Sequence, residues 1–167
     1  LLQRRLLRAS GLKLVFESAL IEQAAYLSMN HWRAQWLHKR AADALVMRQH
    51  SQLSLNHHTA ARHYEAAGEQ QAALAQYMLA VKSAQQVFGY GSALQSARQA
   101  RQQITSETAP DTIAIVYEMI GDCAFHVGRY SEAYEAYRFA GEKLGRHNLL
   151  SLISLAAQNL KNGRNVK

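Results

Sequence analysis

His50, His57, His58 and His63 form the densest group of metal-binding side chains in the sequence, and together they would offer imidazole nitrogens to zinc or a similar cation. A helix presents a ligand pair three or four residues apart, whereas His58 and His63 are five apart, so a structural role is expected and no metal site is assigned. The single cysteine, Cys123, would need a neighbouring base and an oxyanion site to act as a nucleophile, and no motif supplies either; a packed, inert thiol is expected. Gly89-Tyr90-Gly91-Ser92 lacks the third glycine of a dinucleotide fingerprint and the flanking glycine of a nucleophile elbow, and reads as a helix-helix turn. Glu118 and Asp122, four apart, share a helical face as paired carboxylates, a negative patch or a plain solvated surface. Trp32 and Trp36 also share a face, beside Arg33, Lys39 and Arg40, where packing in a core or interface competes with base stacking. With no nucleophile, acid-base pair or metal set of supporting spacing, an enzyme is not expected, nor is a cofactor in this stretch.

The elements that would carry these residues are mostly helical. Leu1, Leu2, Leu6 and Leu7, interrupted by Arg4, Arg5 and Arg8, read as a helix end broken by Ala9-Ser10-Gly11. Leu12 to Phe16 is the one strand candidate, which would form one arm of a hairpin with Leu6-Leu7-Arg8. Helical spacing follows over 17–28 and 31–48, with a corner at Met29-Asn30 and a polar loop at 49–56. Beyond it, segments near 57–67, 70–87, 90–104, 111–127, 130–144 and 147–162 are helical by pattern. Glycines at 68, 89, 91, 128 and 145 fall at or near their ends, where the left-handed conformation terminates a helix. Pro110 follows the one longer interruption and stands just before a helix start.

Composition agrees with this pattern. One proline and 9 glycines in 167 residues, with 49% hydrophobic and 19% charged residues, describe a folding, helix-rich chain and exclude a disordered or all-β one. A lone cysteine forms no internal disulfide, and no apolar run approaches the roughly 18 residues needed to span a bilayer, so a cytoplasmic protein with no membrane partner is expected. The opening Leu1-Leu2-Gln3-Arg4-Arg5 is neither a signal peptide nor a usual start, and a piece of a longer polypeptide is expected. The net charge of +7 is concentrated at the front, where residues 1–50 carry eight Lys or Arg against three Asp or Glu. That basic excess can meet nucleic acid, an acidic partner or an acidic domain of the same polypeptide.

The run Tyr117, Ile120, Gly121, Ala124, Tyr130, Ala133, Tyr137 and Ala140 resembles the tetratricopeptide repeat. Small residues such as Gly121 and Ala133 let two helices approach, while the tyrosines fill the space between successive pairs. The chain departs from the family at Ala124, where an aromatic is usual, and at Gly145, where a proline closes the repeat. Ala61, Tyr64, Gly68, Ala73, Tyr77 and Ala80 make a weaker copy; Tyr77, Ala84, Tyr90, Ala93, Ala97 and Ala100 make another that shares Tyr77. The resemblance implies an all-α, TPR-like α-solenoid of antiparallel helix pairs over residues 53–167, its last helix a cap that leaves Lys161 to Lys167 in solvent.

A second resemblance covers about the first hundred residues. Phe16 with Ala19-Leu20-Ile21 and Ala24-Ala25-Tyr26, then Leu37 to Leu45, then His57-His58 and His63 to Glu69, is similar to the region after the nucleotide-binding core of STAND-type signalling ATPases, including LuxR-like transcriptional regulators and ATPase-linked adenylate cyclases. It implies that residues 1–30 end a winged-helix-like segment with at most one short β-hairpin, that 31–52 are a connecting helix and loop, and that 53–167 are the sensor repeats. The family usually has a histidine two residues after the phenylalanine, which can contact nucleotide; Ser18 stands there, and no G-x-x-x-x-G-K-[ST] phosphate loop is present, so this stretch alone is not expected to hydrolyse ATP.

Carried onto this chain, the inner-groove positions of the repeat family are His58, Arg62, Glu65, Met78, Lys82, Gln85, Gln86, Glu118, Asp122, Phe125 and His126. Cations at one end and carboxylates at the other suit an extended peptide or a helix. The leading expectation is a non-catalytic sensor and protein-interaction module of a larger signalling ATPase, a transcriptional regulator, whose concave face takes a protein, a peptide, a small inducer or the ATPase core of the same chain. Charge reversal at Lys82 or Asp122 should then weaken partner binding and leave thermal stability nearly unchanged. The alternatives are a free-standing tetratricopeptide adaptor and nucleic-acid binding through Arg4, Arg5, Arg8 and Lys13, although in the family resembled DNA contact normally uses a separate domain.

Overall fold

Two short strands open the described part of the chain. The computed structural model describes residues 6–10, 13–49, 57–143 and 150–164. Strands β1 (Leu7–Ser10) and β2 (Lys13–Phe16) pair antiparallel, Leu7 opposite Phe16 and Ser10 opposite Lys13. The expected break at Ala9-Ser10 and the reading of Leu7 as the end of a helix both give way to strand. Ala9 pairs with Leu14 in register. The loop expected over 49–56 lies almost wholly outside the described residues, as do Leu1 to Arg5.

Among the described residues the rest is helical: α1 (Ala19–Leu27), α2 (His31–Gln49), α3 (His57–Ala67), α4 (Gln70–Gln86), α5 (Tyr90–Gln102), α6 (Pro110–His126), α7 (Tyr130–Arg138) and α8 (Leu150–Arg164). A π-helical turn, Phe139–Lys143, continues α7, where the sequence pattern implied uninterrupted α-helix. Ser18 starts α1 from an extended backbone and its Oγ accepts the amide of Ile21 at 3.3 Å; Asn30 starts α2 by accepting the amide of Arg33 at 3.2 Å. Pro110 occupies the first turn of α6, where its missing N–H costs nothing. No helix among the described residues is long and apolar enough to cross a membrane.

Each helix from α3 to α7 packs on the one before it and the one after it, and α4 also touches α6. Three of the reversals are built alike. Gly68, Phe88 and Gly128 each donate their amide to the carbonyl three residues back at 3.0 Å, and the next amide reaches five residues back at 2.8–2.9 Å. This double bond pattern closes the last turn of a helix and requires the left-handed conformation. The φ values are 80°, 57° and 80°, so Phe88, and not Gly89 beside it, takes the place that glycine holds in the other two turns.

Around these turns the buried positions recur. Ala73, Ala93 and Ala133 each stand five residues beyond the turn residue, and all are fully buried. Nine residues beyond it come Tyr77, Ala97 and Tyr137, and seven before it come Ala61, Val81 and Gly121, all buried and complementary in size. The fit is tightest at Gly121, where an added Cβ would lie 2.6 Å from Cδ1 and 2.9 Å from Cζ of the Tyr137 ring. The two tyrosines, with Val81, Val116, Ile120 and Cys123, are the largest fully buried side chains, each worth about 2 kcal/mol of apolar burial.

Candidate functional site

The site is built on α3. Its residues His58, Arg62 and Glu65 are spaced by four and three, which puts them on one helical face, and that face meets α5 across a cleft of about 380 Å³. The opposite wall is Gln95, Gln99 and Gln102 of α5, again spaced by four and three, and Tyr77 of α4 closes the floor. The His58 ring meets Tyr77 edge-on at 5.5 Å, and its Nδ1 lies 3.1 Å from Ser96 Oγ. Tyr77 donates its hydroxyl to Glu65 at 2.6 Å; burial first and this bond second hold the phenol well above its ordinary range. Burial, reinforced by Arg62, lowers the pKa of His58 below its ordinary value. Arg62 itself is exposed and makes no ion pair among the described residues.

Chemically the cleft holds one guanidinium with no ion pair among the described residues, one imidazole, one carboxylate that accepts the Tyr77 hydroxyl, and three primary amides. Each amide carries two donors and one acceptor oxygen, which can match the alternating C=O and N–H groups of an extended backbone.

The other groove candidates lie elsewhere. Met78 of α4 lines a separate cleft of about 300 Å³ with Thr108, Ala109 and Thr112. Gln85 donates to Cys123 Sγ at 3.5 Å, while Lys82 and Gln86 are exposed. On α6, Glu118 is half-buried and Asp122 accepts the Tyr137 hydroxyl at 2.7 Å. Asp122 is therefore part of the packing between α6 and α7. Its charge reversal should cost stability, contrary to the expectation that it would affect binding alone. His126 donates Nδ1 to the Asp122 carbonyl at 2.8 Å and stacks on Tyr90 at 4.1 Å, and Phe125 meets Tyr130 edge-on at 5.4 Å.

The remaining expectations divide similarly. Arg8 is exposed on β1, Lys13 stands opposite Ser10, and Arg4 and Arg5 lie outside the described residues. Trp32 and Trp36 are 66% and 49% exposed, so neither is in the core, and Arg40 sits 4.7 Å over the Trp36 ring. Among the described residues no three His, Cys, Asp or Glu side chains come together as a metal site. Instead His57 bonds Gln76 at 2.8 Å, and His63 Nδ1 meets His38 Nδ1 at 2.8 Å; His50 lies outside the described residues. Burial pushes the Cys123 thiol up to about 11, which leaves little thiolate at neutral pH.

The sequence reading missed Gln95, Gln99, Gln102 and Tyr77. The 4-and-3 spacing of the glutamine stripe is legible in the sequence, but that the stripe faces α3 is not. No family model, no curated protein and no solved structure matches this chain.

Proposed function

We propose that this chain is a non-catalytic protein-interaction module that binds an extended, acidic peptide segment in the α3–α5 cleft. The observation that carries this reading is the cleft itself, in which unpaired Arg62 faces a row of three glutamines. The amides satisfy the peptide backbone and Arg62 selects for a carboxylate. A TPR-like α-solenoid is the architecture we assign to residues 53–167. It is supported by the three equivalent turns, the recurring buried positions around them and the sequential packing of the helices.

Within this reading, the hairpin and α1 are the end of a winged-helix-like segment, α2 is the connecting helix, and the whole is the sensor arm of a larger signalling ATPase. Ser18 caps α1 through its own side chain, so a nucleotide contact at that place has no part in the proposal.

The test uses a fluorescently labelled peptide of alternating Glu and Ala, with a Gln-Ala peptide as its neutral match, titrated into the full chain by anisotropy. Saturable binding of the acidic peptide is expected, weakened about tenfold or more in Arg62→Glu and Gln99→Ala and unchanged in Arg33→Glu on α2. Equal binding of the two peptides, or equal loss in Arg33→Glu, would overturn the assignment.

A further inference from the structure

A second cleft, of about 440 Å³, lies on the far side of α5, between it, α6 and α7. That volume is in the range of sites that enclose small organic molecules. One wall is aromatic. Tyr117 of α6 and Phe139, the first residue of the π-helical turn, stack with centroids 4.2 Å apart and planes 26° apart, and Phe139 remains 37% exposed. A π-turn widens a helix by one residue and recurs at functional sites, and here it begins at the residue that forms the open end of the stack.

The facing wall is charged, with Arg101 and Arg138 beside Glu132 and Glu135, and Arg98 lies behind Glu132. Arg98 clamps Glu132 through two bonds of 2.8 and 2.5 Å, and Arg138 pairs with Glu135 at 2.7 Å. The hydrogen bonds from Arg98 hold the Glu132 carboxyl below its ordinary range, with Arg129 and Arg101 adding to the effect. Both carboxylates are thus engaged. Arg101, one turn beyond Arg98 on the same face, lines the cleft and has no ion-pair partner among the described residues.

We propose that this cleft binds a small aromatic carboxylate, with its ring against Phe139, extending the Tyr117 stack, and its carboxylate on Arg101. A neutral aromatic would leave Arg101 unused, a cation would find both carboxylates already paired with arginines, and a purely aliphatic anion would forgo the stack. The site is separate from the α3–α5 cleft and does not depend on what that cleft binds.

The probe is 1-naphthaleneacetate, titrated calorimetrically into the full chain beside 1-naphthalenemethanol and acetate. Saturable binding of the naphthaleneacetate alone is expected, falling about tenfold or more in Arg101→Gln and in Phe139→Leu and unchanged in Arg62→Glu. Circular dichroism checks that each variant is folded, and Arg101→Gln changes an exposed side chain with no ion pair to lose. No saturable binding into the millimolar range, equal binding of the alcohol, or an undiminished affinity in Arg101→Gln would each overturn the proposal.

Discussion

Gly121 shows how much one absent methyl decides. The Tyr137 ring lies over its Cα, and the ring cannot retreat because its hydroxyl is tied to Asp122 and its body is buried. Gly121→Ala should therefore destabilise the fold by about 2 kcal/mol through overpacking, read as a lower urea midpoint at unchanged slope. A midpoint equal to wild type would mean that α6 and α7 separate at no cost. At this scale much of the core was legible, because a small residue and an aromatic at repeat spacing state their own complementarity. The two carboxylates Glu65 and Asp122 were not, since a solvent-facing acid and one that accepts a buried tyrosine hydroxyl look alike in sequence.

Elements bring two further consequences. His38 of α2 and His63 of α3 meet Nδ1 to Nδ1, with Tyr26 of α1 on the far nitrogen of His38 at 3.0 Å. Such a bond needs one bare nitrogen, so it survives one added proton but not two. Burial, then His38 and Arg62, lower the pKa of His63, and His58 shifts the same way. A lowered folded pKa means the unfolded chain binds more protons between the two values, so stability rises with pH and is lost as pH falls through the ordinary histidine value of about 6.5. The melting temperature should be lower near pH 5.5 than near pH 7.5, with a smaller difference in His63→Gln; a flat profile in the wild type refutes this. The turn between α4 and α5 offers the second test. Phe88 is 80% exposed and left-handed, and Phe88→Gly should raise stability by about 1 kcal/mol in urea titrations, relief of backbone strain outweighing the small loss of contact and the freer unfolded chain. A fall would show that the ring packs better than its exposure implies. Glycine spacing had pointed to Gly89 for that conformation. The bond pattern that chooses between neighbours depends on where α4 ends, which no composition rule locates to one residue.

Seen whole, the molecule adds helix to helix with little to join distant parts of the chain. Helix existence was readable from the 3.6-residue rhythm and the punctuation at Gly68, Gly128 and Pro110, and the hairpin was half readable from Leu12 to Phe16. Facing relationships were not readable. Whether His58 looks towards Ser96 or towards Lys82 is a property of stacking order, and it separated the candidate groove into two places. This sequential stacking also bears on mechanics. A sheet whose end strands are paired resists load until many bonds fail together, whereas here a pull on the ends loads one helix-helix seam at a time. Stretched between tethers, the chain should lengthen by peeling in small, low-force steps that reseal when the load is released, as a soft spring does.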